Sequence, residues 1–596
     1  MQKQKQYGII ATISLLIIIT ASLTSQALTQ PKVGGQIVVG LAAEPKVIDP
    51  TTGAWHASFV AAQIFDSLLN TDTKLNIVPS LAESWKILEN ENAYVFNLRK
   101  GVTWHDGKPF GPEDVKFSFE NIISKYDIFG AAYFKNAKVE ILNETAVKLK
   151  LEQLLPAVQL TLLASVDTAI VPKHILEGQD FEKSGFRTKP VGTGPFMFKE
   201  WVKGSHILLE RNPNYWDKGK PYLEKIIIRF ITDPMTMVSA LETGEVNYVF
   251  RGLPYEAAAK LGTNPNLEVI AHTRPPYKMT LQINTNHTIL KNVDVRRAIS
   301  YALDRKDIVQ KATLGLCIPT YRVLPDTVPA SPNLAKYDYN IDIANQLLDK
   351  AGYPKGSDGK RFKIELLTRT GEAEEAAVAD LIKDQLAKVG IEVALKRVDF
   401  GTMLDLETKY QYDFVLVKRW VEPMWSYQLF HSSWIQPGVA FSNTMLYRNP
   451  QVDQLLDSWM REKSPEKQTE FLQKLEEILT SELPEIPLYN VVFLNVKSRN
   501  IKGTDIPVGR YVFWDALVNT YIYEETITSP PSTTTTVVTT TVPTTTVITT
   551  VTTTTATTTT TTATPSPAQP DYTLFVAIAI IIVVAILALL LLRRKR

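Results

Sequence analysis

The chain has 596 residues, with 64 Lys and Arg against 62 Asp and Glu, a formal net charge of +2, which supplies no basic field for gripping a nucleic acid. Its single cysteine, Cys317, excludes an internal disulfide, a CxxC redox pair and a multi-thiolate metal site. Seven scattered histidines show no HExxH spacing, so neither a cofactor nor a metal is expected, and no GxSxG motif marks a hydrolase.

In chain order, Lys3 and Lys5 precede an apolar run from about Ile9 to Leu23, and Ser25-Gln26-Ala27 then offers small residues at the −3 and −1 positions of a cleavage site. This predicts a signal peptide over residues 1–27; an uncleaved anchor is the alternative, less favoured because the run is short for a bilayer. From about Gln30 to Thr528 the composition is that of a globular body. Strands are predicted at Gly35 to Leu41, Tyr94 to Leu98, Val147 to Leu151, Ile226 to Ile231 and Phe362 to Leu367, where apolar and β-branched residues alternate or cluster. A helix is predicted over 294–303, with Asp294 as N-cap and Val295, Ile299 and Leu303 on one face. Another, over 376–389, spaces Ala379, Ile382, Leu386 and Val389 before Gly390. The class is α/β.

Several motifs invite chemical readings but favour structural ones. Asp106-Gly107 suits a tight turn, so His105 is expected there as a turn residue. Gly192-Thr193-Gly194-Pro195 lacks the Lys of a phosphate loop and reads as a backbone-shaping loop. Gly244 closes a helix, and Cys317 reads as a small buried residue. Asn143 and Asn286 begin N-glycosylation sequons.

Beyond the body, residues 529–571 are dominated by Thr, with Val and Pro interspersed, as in an O-glycosylated stalk or a bare linker. Residues 572–592 then form an apolar run that ends at Arg593-Arg594-Lys595-Arg596. This predicts a single transmembrane helix, with the basic tail cytoplasmic and the body outside the cell membrane.

The body carries collinear blocks: Leu81-Ala82-Glu83-Ser84-Trp85, Tyr94 to Val102, Trp104-His105-Asp106-Gly107-Lys108-Pro109, Val191-Gly192-Thr193-Gly194-Pro195-Phe196, Arg211-Asn212-Pro213-Asn214-Tyr215-Trp216, Leu241 to Asn247, Val295 to Arg305 and Ile486-Pro487-Leu488-Tyr489. Together they resemble the family 5 solute-binding proteins, the dipeptide and oligopeptide receptors of ABC importers. The resemblance implies a periplasmic-binding-protein type II-like fold with two lobes built from three domains. Domain I would take 31–78, 191–273 and 501–528, domain II 79–190, and domain III 274–500. It implies a non-enzymatic receptor that hands its solute to permease subunits driven by a cytoplasmic ATPase. A surface adhesin or structural protein is the remote rival.

In the peptide receptors of that family an Asp three residues after a cleft Trp pairs with the ligand's α-amino group. The corresponding Trp here is Trp420, and the third residue on is Pro423, which cannot make that bond; Glu422 could substitute only if the loop is shifted. The surrounding segment is rich in rings, and anchored archaeal members of the family with a similar stalk bind oligosaccharides, so the ligand is expected to be an oligopeptide or an oligosaccharide. The candidate ligand-binding residues are Trp420, Trp55, Trp425, Tyr427 and Tyr489, with Glu422 and Arg419 as charged candidates. Trp514 is a further, weaker aromatic candidate.

Overall fold

Runs of β-branched and apolar residues form the strands of three larger sheets. The computed structural model describes residues 31–523 apart from 32, 53–54, 73–75, 128–129, 273–276 and 505–516. The signal, stalk and transmembrane segments, and Trp514, therefore lie outside the described residues. Among the described residues no helix is long and apolar enough to cross a membrane.

In the seven-stranded sheet Gln36–Leu41 runs parallel to Lys225–Phe230 on one side and Tyr248–Val249 on the other. Ile37, Val39, Ile226 and Ile228 are fully buried, as the alternating pattern requires. Ala82–Leu88, Ala93–Leu98, Ala146–Lys150 and Lys138–Asn143 make an antiparallel four-stranded sheet. The six-stranded sheet is ordered Ile318–Pro319, Glu485–Asn490, Tyr277–Ile283, Phe414–Trp420, Phe362–Arg369, Ile391–Val398. The chain passes between the seven- and six-stranded sheets twice, from Leu267–His272 to Tyr277–Ile283 and from Glu485–Asn490 to Phe493–Ser498. Only Val491 and Val492, both buried, separate the second pair. Phe493–Ser498, grouped by sequence with domain III, thus pairs with Leu267–His272 in the seven-stranded sheet.

Local details refine the predicted ends. The helix expected from Asp294 is Val293–Ala302, and its cap is Asn292, whose side chain accepts from the Asp294 N–H at 2.9 Å. Gly244, at φ 78°, ends Pro234–Thr243 in the left-handed region, as expected.

The recognisable motifs converge on one another. Asp66 accepts from Thr193 Oγ1 at 3.0 Å, Tyr215 OH at 3.1 Å and Trp216 Nε1 at 3.0 Å. Arg99 lays its guanidinium over Trp216 at 4.3 Å and donates to the Ser80 carbonyl at 3.1 Å. His105 does more than turn the chain: Nδ1 accepts from the Gly192 N–H at 3.2 Å and Nε2 lies 2.9 Å from the Gly194 carbonyl. A Cβ on Gly192 would fall 1.9 Å from the Ile64 carbonyl oxygen, and one on Gly194 2.6 Å from the same atom. The glycines are needed for this close approach of two backbones. Burial holds His105 down at about 4, so it is a neutral strut at physiological pH. Farther on, buried Arg305 donates to the Pro487 carbonyl at 2.8 Å and to Ser300 Oγ at 2.8 Å, tying two more motif blocks together.

Candidate ligand-binding site

Where the two sheets exchange strands, side chains from distant segments meet. Tyr277 and Trp420 are directly opposite in antiparallel register, with ring centroids 4.8 Å apart in an edge-on arrangement. Tyr277 meets Phe493 edge-on at 5.2 Å. Just past the short strand Tyr248–Val249, Arg251 adopts φ 61°, and its N–H donates to Asn495 Oδ1 at 3.2 Å. Its guanidinium lies 3.9 Å from the Phe493 centroid, 5.4 Å from Phe250 and 5.8 Å from Tyr277. Trp55, which opens the helix Trp55–Ile64, stands 6.5 Å from Phe250 and packs on His56 at 3.5 Å.

Electrostatics at this junction follow from burial. Removal from water lowers Arg251 to about 10 and raises the Tyr277 phenol, an effect that the Arg251 charge partly offsets. His56 and His272 are both held down at about 4 by burial. Glu422 is buried, and its charge is felt at Tyr277.

The expected site residues separate into three groups. Trp420, Trp55 and Glu422 belong to the junction. Trp425 and Tyr427 lie on the helix Pro423–Phe430 and pack against the apolar cluster of the four-stranded sheet. There Tyr427 donates to Asp457 Oδ1 at 2.9 Å and stacks on His431 at 4.5 Å. Tyr489 and Arg419 are interior. Tyr489 is 0% exposed and donates to Glu374 Oε1 at 2.7 Å. Arg419 is 8% exposed, pairs with Glu485 at 2.7 Å and also donates to Gln282. Both belong to the core of the six-stranded sheet: strand alternation turns Arg419 inward, and Lys418 pairs with Glu374 at 2.9 Å. Pro423 occupies the first helical turn, where a residue without an N–H costs nothing.

Arg251, Tyr277 and Phe493, which pack together at the junction, are not among the residues expected from the sequence. The Arg251-Gly252 pair after a strand signals a turn, but nothing local shows that its side chain meets a segment far along the chain. Among the described residues no cluster of His, Cys, Asp and Glu could hold a metal ion.

Rings and one guanidinium gathered where two α/β sheets exchange strands are suited to holding a solute, and the architecture is that of the solute-binding proteins of ABC transporters. The chain belongs to the bacterial extracellular solute-binding proteins, family 5, whose model matches residues 76–440. It is 32% identical over 450 residues to the oligopeptide-binding protein AppA of Bacillus subtilis, covering 72% of this chain and 81% of that one. It is 28% identical to the glutathione-binding protein GsiB of Salmonella paratyphi A, covering 78% of this chain and 91% of the relative. The structure of Bacillus subtilis AppA in complex with a nonapeptide matches with a TM-score of 0.66 at 27% identity, covering 83% of this chain and 100% of that one. DppA of Helicobacter pylori in complex with the peptide STSA matches with a TM-score of 0.67 at 25% identity, covering 83% and 99%.

Proposed function

We propose that this protein is the substrate-binding component of an ABC importer and captures a peptide-class solute at the junction of the seven- and six-stranded sheets. The observation that carries the reading is membership of family 5 together with relatives whose names and complexes are those of peptide receptors. The ring cluster around Trp420 agrees with it, because aromatic faces bury apolar area at small conformational cost. In this reading the seven-, four- and six-stranded sheets are the cores of domains I, II and III, and the solute is enclosed as the lobes close. The signal at 1–27, the Thr-rich stalk and the helix at 572–592 would hold the body outside the cell membrane beside the permease. The protein binds and releases; it performs no chemistry.

Titration calorimetry of the purified protein against peptides and oligosaccharides tests this. Micromolar or tighter binding of peptides is expected. Binding confined to oligosaccharides would move the assignment to the sugar-binding alternative, and turnover of a bound ligand would overturn the receptor reading.

A further inference from the structure

Resting on the solute-binding reading and deepening it, we propose that Tyr255, Cys317 and Val492 form a clamp that holds the two sheets together at their crossing while the lobes are closed and comes apart as they open. Its position is the first support. Val491 and Val492 are the residues that join Glu485–Asn490, in the six-stranded sheet, to Phe493–Ser498, in the seven-stranded sheet. The Val491 N–H is donated to the Tyr277 carbonyl at 2.9 Å, on the six-stranded side. Val492 is held from both sides. Its N–H is donated to Cys317 Sγ at 3.4 Å, and its carbonyl accepts from the Tyr255 hydroxyl at 3.3 Å. Cys317 directly precedes Ile318–Pro319, the edge strand of the six-stranded sheet. Tyr255 opens the helix Tyr255–Leu261, which packs on Leu267–His272 and Phe493–Ser498 of the seven-stranded sheet.

The second support is that the polar groups close on themselves. The Tyr255 hydroxyl oxygen lies 3.0 Å from Cys317 Sγ. Because the one phenol proton goes to the Val492 carbonyl, the thiol proton bridges sulfur and oxygen. The result is a ring in which the Val492 N–H donates to sulfur, the thiol to the phenol oxygen and the phenol to the Val492 carbonyl. This ring needs both side chains protonated. Burial, with the Glu374 charge adding to it, holds the Tyr255 phenol and the Cys317 thiol above their ordinary values.

The third support is mechanical. A hinge rotation is absorbed by the φ and ψ of a few residues at the crossing, which turns the Val492 peptide group. Its two partners cannot both follow, because one moves with each sheet. The ring is complete here, where the proposed lobes touch: the helix Pro156–Leu163 packs against Pro450–Arg461, and Lys463 pairs with Glu89. Hydrogen bonds to sulfur are weak, so the clamp biases the protein toward closure without locking it.

Cys317 is the one cysteine of the chain and is 3% exposed, so its reaction with N-ethylmaleimide reports opening of the clamp. The test follows that reaction in the full chain in detergent, at rising but sub-denaturing urea. Labelling through hinge opening is expected, at a rate nearly independent of urea; labelling through global unfolding would rise steeply with it. Tyr255→Phe is expected to label at least tenfold faster, with the same shallow dependence, while melting cooperatively. A steep urea dependence in the parent, or a variant that labels no faster, overturns the clamp. If the variant does not fold, the urea dependence of the parent decides. Adding a mixed nonapeptide pool is expected to slow labelling at least tenfold. If calorimetry shows that the pool binds and labelling is unchanged, the clamp does not open with the lobes and the proposal fails. If the pool does not bind, the peptide reading fails, and the urea series still decides the clamp.

Discussion

Asp66 and Arg251 are both charged groups drawn out of water, yet their surroundings differ in kind. Around Asp66 stand a threonine hydroxyl, a phenol and an indole N–H, all aimed at the carboxylate and all supplied by motif segments. Around Arg251 stand ring faces from both sheets. The first arrangement uses its polar groups to pin loops to one another, which makes it a fold-determining hub. The second orients a charge where two sheets meet, as suits recognition. The motifs by which the family is recognised therefore build the scaffold, and under the proposed function the solute would be read by residues outside them.

If that contrast is right, the largest effect on stability belongs to the hub. Gly192→Ala forces a Cβ against the Ile64 carbonyl, and a loss of about 3 kcal/mol or more is expected in chemical denaturation. A variant as stable as the parent would break the account of this loop.

Next is a pH effect. Asp66 is raised to about 6, first by burial, with its hydrogen bonds opposing the shift. Because the folded value lies above the ordinary 3.8, protonation favours the folded state: the contribution is full below pH 4 and lost as pH rises through about 6. The stability of the parent minus that of Asp66→Asn should therefore fall by about 2 kcal/mol between pH 4 and 7. A difference that stays flat across that range would show that the carboxyl is not shifted.

At the junction the expected change is in affinity. Trp420→Ala should weaken solute binding by about 1–2 kcal/mol, measured calorimetrically, through loss of a ring packed on Tyr277. Unchanged affinity would remove Trp420 from the site. The smallest effect is expected for Tyr489→Phe, which loses one hydrogen bond to Glu374: about 1 kcal/mol in stability and none in affinity. A tenfold loss of affinity would return Tyr489 to the site.

Much of the scaffold was legible before any coordinates. The strand segments are found within a residue or two of their predicted places, because a half-buried strand leaves a period of two in the sequence. The helix beginning near Asp294 was legible too, but its cap was misplaced by two residues because Asn292 and Asp294 are equally good cap types. Less of the site could be read. Trp420 and Glu422, expected through the family segment, stand at the junction, whereas Tyr489 and Arg419, expected beside them, are packed inside the six-stranded sheet. An aromatic or charged residue near a cleft motif looks the same whether it faces solvent or a buried acid such as Glu374 or Glu485.

By itself the sequence determined the α/β class and, through its collinear motif blocks, the family, because periodicity, turn chemistry and motifs are local properties of the chain; the signal, stalk and anchor that it predicts lie outside the described residues. Only the tertiary structure decided that Phe493–Ser498 crosses into the seven-stranded sheet, that Asp66 gathers the motif segments, and that Arg251 lies between Phe493 and Tyr277. These are pairings between segments far apart in sequence. The order of residues along the chain carries no signal for such contacts until the sheets are assembled.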